Sequence, residues 1–462
     1  MSCLAQFMVV LDSAIVTLAL PQMRAGLGLS AGEQQWVLSG YLISLGGFLL
    51  LAARAGDLFG RKRLFLFGAV TFTAASMAGG LAADPAMLLA ARVVQGTGAA
   101  ALAPASLSLI TATLTDERQR QRALTLWSIM GGLAGVAGIV LGGVLTAELS
   151  WRWVLFINVP LGVALLAAAL AALLPAPARA QRVRLDVAGA LTATLGIGAL
   201  TYGLSQASSG GWGSAGAVTG LAGAGVLLVA FAAVEAVGSR PLIPPALFRL
   251  RGLRAGNLLM LCLGATMTAA FFFLSLYLQE AVGYSALRAG LAMLPTAVVM
   301  IAGGLASSRL VPVAGPRLLL LAGALVTAAS LAWLTAVPAH PAYLAHILGP
   351  ALLAGAGMGL MLLPATLSGT NGVPVKDAGA AAGLLNSSRQ VGGALGLAAL
   401  VNIAATAARN DAAHAGYPGS LVHGYHVAFA VDAAVMVVAG LLALALPAGA
   451  ASAASRQSGK DG

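Results

Sequence analysis

The sequence predicts an all-α polytopic membrane protein with fourteen spanning helices, and three observations predict it. Hydrophobic residues make up 59% of the 462-residue chain and charged residues only 8%, where soluble domains carry about 25% charged residues. The apolar residues gather into fourteen runs, each close to the roughly 20 residues needed to cross a bilayer as a helix. The loops between those runs alternate between rich and poor in lysine and arginine.

The runs fall near 3–21, 35–55, 64–83, 86–112, 123–146, 153–174, 187–206, 216–237, 254–280, 287–307, 316–336, 343–365, 378–404 and 425–448. An even number places both termini on one side. One set of loops, with the C-terminal tail, holds nineteen of the 25 basic residues; the opposite set holds only Arg24, Arg152, Arg288 and Arg409. The basic side is cytoplasmic by the positive-inside rule, so both termini are expected in the cytoplasm and the protein in the inner (cytoplasmic) cell membrane. The net charge of +11 has the same origin. It marks topology, so the expected partner is the lipid bilayer and not nucleic acid.

The first run lacks a basic leader and a cleavage site and is interrupted by Asp12, which reads as a spanning helix and not a signal peptide. Only eleven residues precede Asp12, with no basic tail, which leaves room for a start upstream. Cys3 and Cys262 both sit in apolar runs, so no disulfide framework is expected. Glycine, at 59 residues, is about 13% of the chain against a usual ~7%, which favours close helix packing.

An internal echo suggests duplication. The link ARAGDLFGRKR (53–63) and the link GLASSRLVPVAGPR (304–317) are both short, basic and glycine-containing. They take equivalent positions if two six-helix halves flank an inserted pair of helices, a recurrent transporter design. The expected domains are a six-helix bundle at 1–175, two inserted helices with their linkers at 176–250, a second six-helix bundle at 251–450 and a cytoplasmic tail at 451–462.

Residues able to carry chemistry stand out against this apolar background. The run AMLLAARVVQGTGAAALAPASLSLI (86–110) contains Arg92 with no acid nearby in sequence, and an arginine at membrane depth costs at least about 2.5–3.5 kcal/mol. Asp12 lies nine residues before Pro21, taken as the outer end of the first helix. Both residues then sit roughly 10–13 Å below the outer surface and are expected to face one cavity and pair there. Burial and a neighbouring guanidinium act on a carboxyl's proton affinity in opposite senses, so a changing distance to Arg92 would let Asp12 take up and release a proton. The plainer alternative is a static pair that locks the two helices together. Gln95, one turn beyond Arg92, is a candidate for the substrate cavity.

In GDLFGRKR, Gly56 and Gly60 permit a tight turn, Asp57 can cap the next helix, and Arg61, Lys62 and Arg63 face the cytoplasm. Asp57 would act as a latch by holding a cation in one conformation; topology charge plus a cap is the alternative. Along GGLAGVAGIVLGG, Gly131, Gly135, Gly138 and Gly142 fall on one helix face, suited to close packing or sliding. In AGAAAGLLNSSRQVGGALGLAAL, Asn386, Arg389 and Gln390 lie near mid-membrane; Arg389 would meet substrate or the opposing half, unless it forms an interhelical pair. Asp432 lies about two turns into the last run and is a further cavity candidate. Glu235 is expected to snorkel to the interface. The histidines at 340, 346, 414, 423 and 426 lack regular ligand spacing, so no metal site is expected.

Taken together, these stretches resemble the fourteen-helix drug:proton antiporter family of the major facilitator superfamily. LDSAIVTLALP resembles its first-helix motif, GDLFGRKR the superfamily loop motif and LAARVVQGTGAA its proton-linked arginine motif. GLAGVAGIVLGGVL followed by WRWVLFINVPLG is similar to the antiporter motif and its sequel, and YLQEAVGYSALRAGLAMLP and GLLNSSRQVGGALG to stretches of the second half. The resemblance implies a major facilitator fold. It assigns Asp12 and Arg92 to proton coupling, Asp57, Gly60 and Arg61 to the conformational latch, and Gly138, Gly142 and Gly143 to the antiport helix. Some positions depart from the pattern: Ile139 replaces the motif's proline, Ala53 its leading glycine, Leu58 a basic residue, and Ala14 and Thr17 stand where Thr and Asn are common. Asp432 has no counterpart in it.

The expected function is proton-coupled export of drug-like or antibiotic small molecules by alternating access. The proton gradient supplies the energy, no cofactor takes part, and a monomer suffices. A dedicated exporter of one metabolite or self-made antibiotic is the nearest alternative, and a non-transporting sensor or scaffold is the alternative of another class. No enzyme is expected, since no nucleophile, base and acid cluster at one depth.

Overall fold

The computed structural model describes residues 1–113, 116–172, 186–237, 247, 249–338, 341–374 and 377–446, with backbone only at 31, 57, 111–112, 117, 172, 208–210, 237 and 412–418. The described residues are helical almost throughout. In chain order they form α1 (Ser2–Leu27), α2 (Ala31–Phe59), α3 (Arg61–Gly80), α4 (Pro85–Thr113), α5 (Glu117–Glu148), the short α6 (Trp153–Phe156), α7 (Asn158–Ala172), α8 (Val187–Gly210) and α9 (Ala215–Val237). Then follow α10 (Arg251–Leu276), α11 (Ala286–Leu334), α12 (Leu348–Thr370) and α13 (Ala378–Leu444). A π-helical turn, Tyr277–Ala281, extends α10, and another, Tyr343–Ile347, leads into α12.

Local chemistry explains the ends. Ser30 and Glu33 form a reciprocal capping box at α2, which satisfies donors left free at a helix start. The Asp116 carboxylate accepts from the backbone of Arg118 and Gln119 at the start of α5, and Asp186 accepts from Gly189 at α8. Between α2 and α3, Gly60 has φ of 93°, a region that favours glycine. Asp57 lies in the last turn of α2. Its side chain, and with it the expected cap on α3, lies outside the described atoms.

Among the described residues, twelve segments are long and apolar enough to cross a membrane. The fourteen runs differ from this count at two places. In α3, Arg61, Lys62 and Arg63 dilute the apolar character of a 20-residue helix. The runs at 287–307 and 316–336 are continuous in the 49-residue α11, whose backbone breaks at Gly315 with φ 76° and ψ 156°. In α13 the spans Ala378–Asp411 and Gly419–Leu444 are continuous, yet a Cβ on Gly424 would lie 2.6 Å from the Ala404 carbonyl. Twenty residues of straight helix span about 30 Å, so α13 doubles back and its two spans pack side by side. At the other end of the chain, α1 runs through Pro21 to Leu27. Pro21 therefore does not end the first helix.

The chain divides into two compact units. The first comprises Met1–Leu242 with Leu274–Leu294 and Leu397–Asn402; the second comprises Ile243–Phe273, Pro295–Gly396 and Ile403–Gly462. Within the first, small residues bring helices to backbone contact. A Cβ on Gly98 of α4 would meet the Phe72 nitrogen of α3 at 2.6 Å, and one on Gly138 of α5 would meet the Ala14 Cβ of α1 at 2.7 Å. In the second, Gly392 and Gly396 of α13 press on Leu261 and Ala265 of α10. Close approach of this kind drives association where lipid removes the hydrophobic effect between helices.

Candidate functional site

The centre of the first unit is polar. Asp12 shares the buried face of α1 with Met8, Leu11 and Ile15, so helical spacing turns its carboxylate inward among apolar neighbours. On α4, Arg92 and Gln95 are one turn apart and share a face. Arg92 Nη1 donates to Asp12 Oδ2 at 2.7 Å and to Gln95 Oε1 at 2.7 Å, and its Nε donates to the Val37 carbonyl of α2 at 2.9 Å. Its guanidinium also lies over the Tyr41 ring, 4.4 Å from the centroid, a cation–π contact strengthened by desolvation. Asp12 and Arg92 both have 0% exposure.

Two further helices complete the network. Gln95 Nε2 and Asn158 Nδ2 each donate to Asp12 Oδ1, at 2.8 and 2.9 Å. The same two amides donate to Ser76 Oγ of α3, each at 3.0 Å, and Ser76 in turn donates to the Leu155 carbonyl at 2.9 Å. The Ser76 hydroxyl thus uses its single donor and both acceptor sites. Gln95's orientation is set by Arg92, which needs an oxygen to donate to. Asp12 accepts three hydrogen bonds, one of them from the oppositely charged guanidinium of Arg92. A buried pair of this kind persists only with good geometry and further hydrogen bonds. Arg92 Nη2 and Asn158 Oδ1 are buried without a hydrogen-bond partner among the described residues.

The antiport-motif glycines pack in different ways. Gly138 and Gly142 abut α1 at Leu11, Ala14 and Ile15, while Gly143 meets Ala286 and Leu287. A Cβ on Gly135 would meet nothing within 4 Å, so only part of the glycine face is in contact. Where α2 meets α3, Arg61 Nη1 at the start of α3 donates to the Ser108 carbonyl of α4 at 3.3 Å, and a Cβ on Gly56 of α2 would lie 3.2 Å from Leu64.

In the second unit, Arg389 Nη2 donates to Asn386 Oδ1 at 3.0 Å on its own helix, and Gln390 follows it half-buried. Ser388 Oγ donates to Asn257 Oδ1 of α10 at 2.7 Å. Asp432 is remote from these groups in chain and in bonding: its Oδ1 accepts from Thr266 Oγ1 at 2.6 Å. The span that carries it begins at Gly419, so Asp432 sits mid-span and not two turns from an end. Glu235 lies half-buried near the end of α9. Of the histidines, His340 and the His414 side chain fall outside the described atoms, and no cluster able to hold a metal occurs among the described residues.

Ser76, Asn158 and Tyr41 were not singled out from sequence. Asn158 gave a signal, an amide inside an apolar run. Ser76 gave none, since a helical hydroxyl ordinarily bonds its own preceding turn.

The sequence profile described as Major Facilitator Superfamily matches residues 2–397. The chain is 43% identical over 455 residues to the cephamycin export protein CmcT of Amycolatopsis lactamdurans, covering 97% of this chain and 92% of that protein. It is 41% identical to the puromycin resistance protein pur8 of Streptomyces alboniger, covering 96% and 89%. In three dimensions it resembles the nucleoside transporter NupG, with a TM-score of 0.64 at 13% identity over 96% of this chain and 97% of that one.

Proposed function

Because the chain belongs to the Major Facilitator Superfamily, we propose that it is a proton-coupled exporter of antibiotic-type small molecules, working by alternating access with the proton gradient as its energy source. The buried Asp12–Arg92 network carries this reading. A carboxylate at this depth needs a neutralising partner, and here the partner is a guanidinium from another helix. A shift of α4 against α1 withdraws that partner, and a proton is the smallest replacement. Gln95, Asn158 and Ser76 hold the carboxylate in place during the exchange, so they are positioning residues. The names of the relatives, one tied to cephamycin export and one to puromycin resistance, support antibiotics as the substrate class.

The same proposal takes fourteen spanning helices: the twelve apolar segments, α3, and α11 counted as two about Gly315. Two six-helix bundles with α8 and α9 as the inserted pair then fit the spacing of the basic links. Both termini are cytoplasmic on the basic-residue asymmetry. Arg389 and Gln390 contribute to the substrate path from the second half, and Asp57 and Arg61 act as the conformational latch.

The test is proton release on adding candidate antibiotics to the purified protein in weakly buffered detergent, wild type against Asp12→Asn. Release that disappears in the variant supports the proposal; undiminished proton-driven efflux by Asp12→Asn in vesicles would sink it. The names of these two relatives, each tied to one compound, support a dedicated exporter of one antibiotic as a second reading. Resistance profiles across unrelated chemotypes separate the two, since a dedicated exporter protects against one.

A further inference from the structure

Asp432 is an acid that the network around Asp12 leaves unused. It lies 13 residues into the span Gly419–Leu444, and its partner Thr266 lies 15 residues into the 31-residue span Arg251–Ala281. Each lies more than three turns from either end of its span, so the Thr266–Asp432 contact is deep within the membrane-crossing part of both helices. The antiparallel register is fixed by neighbours: seven residues beyond Thr266, Phe273 packs against Tyr425 and Phe429, with ring centroids 5.8 and 6.2 Å away. Thr266 has 0% exposure and Asp432 1%.

The carboxyl is asymmetric. Oδ1 accepts the Thr266 hydroxyl at 2.6 Å, whereas Oδ2 is buried without a hydrogen-bond partner among the described residues. Neither of the ion pairs Arg92–Asp12 and Arg24–Glu280 involves Asp432. The helices packed around it carry few titratable groups. Cys262 is one turn before Thr266 on α10, while Tyr425 and His426 lie about two turns toward the start of Asp432's own span. Arg389, on the other span of α13, donates to Asn386. On α11, where Leu321 and Ala324 meet Gly440, the nearest charge is Arg317, at the head of that half. Among the described residues, no cation reaches Oδ2.

We propose that Asp432 is a second proton-binding site, separate from Asp12, and that its Oδ2 bears the proton while its carbonyl oxygen Oδ1 takes the Thr266 hydroxyl. An ionised carboxylate with one hydrogen bond and no counter-charge is far more costly in an apolar interior than the neutral acid. The two acids are therefore neutralised by different means, Asp12 by a guanidinium and Asp432 by a proton. The protein then has one buried acidic site in each compact unit.

The test is infrared difference spectroscopy on the purified full chain at neutral pH, reading the C=O stretch that only a protonated carboxyl shows. That band is expected in wild type and in Asp12→Asn, to vanish in Asp432→Asn, and to shift on exchange into heavy water. Thr266→Val, which keeps shape and removes the hydroxyl, should raise its frequency, because a hydrogen bond to the carbonyl lowers it. The proposal is overturned if wild type minus Asp432→Asn shows only ionised-carboxylate bands. Should Asp432→Asn not fold, Thr266→Val decides: an unchanged protonated-carboxyl region overturns the assignment. The readout needs no transport, so it stands or fails independently of Asp12's role in coupling.

Discussion

Asn158 and Gln95 hold the same pair of atoms: each donates one hydrogen bond to Asp12 Oδ1 and one to Ser76 Oγ. Asp12 is thereby clamped between two amides from different helices, with Arg92 against its other oxygen. The carboxylate's position is over-determined, and its charge balance rests on one contact.

Removing one partner of a buried ion pair leaves the other charge uncompensated, at about 3–5 kcal/mol. Asp12→Asn and Arg92→Gln should each destabilise the protein by that order in thermal unfolding, while the double variant should lose clearly less than the two together. Strict additivity in that double-mutant cycle would show that the two residues are not energetically coupled.

Ser76→Ala removes the acceptor of two amides and the donor to the Leu155 carbonyl. A buried polar group left short of a partner costs about 1–3 kcal/mol, so a lowered unfolding temperature is expected in detergent. Because the loosened amides also hold Asp12, substrate-linked proton release should weaken with little change in substrate affinity. Wild-type release from Ser76→Ala would assign the hydroxyl to packing alone.

Gly138 and Gly135 provide an internal contrast. A side chain at Gly138 collides with Ala14 and the Leu11 carbonyl, whereas one at Gly135 meets nothing within 4 Å. Gly138→Val should push α5 off α1, at about 1–3 kcal/mol of overpacking, and abolish efflux. Gly135→Ala should transport as wild type. Equal tolerance at the two positions would argue against a close α1–α5 contact in the working protein.

At Gly315, φ of 76° with ψ of 156° is a conformation essentially confined to glycine, and a residue with a Cβ there costs about 1–3 kcal/mol. Gly315→Ala is expected to destabilise by that order. Cysteines placed on either side of the kink should both label from the cytoplasm if α11 is two spans. Labelling from opposite faces would make α11 one continuous crossing.

Much of this was legible in the chain because it rests on local chemistry. Apolar runs of bilayer length and the asymmetry of basic residues depend only on composition along the sequence, and they announce the membrane class and the order of spans. Asp12 and Arg92 were legible for the same reason: an ionised group in an apolar run is conspicuous wherever its partner lies. Pro21 misled, because a proline in the first helix reads as a terminus, whereas in α1 packing on neighbouring helices carries the helix on to Leu27.

What the tertiary structure alone decided is which ordinary residues become functional neighbours. Ser76, Tyr41 and Asn158 are common types, and nothing near them in sequence tells a bond to the local backbone from one to a distant helix. Only the glycine-mediated approach of the helices brings Ser76 within 3.0 Å of an amide that starts 82 residues later in the chain. The same applies to Asp432: its charge was visible in the sequence, but its mid-span depth and its single hydrogen bond are consequences of where two helices cross.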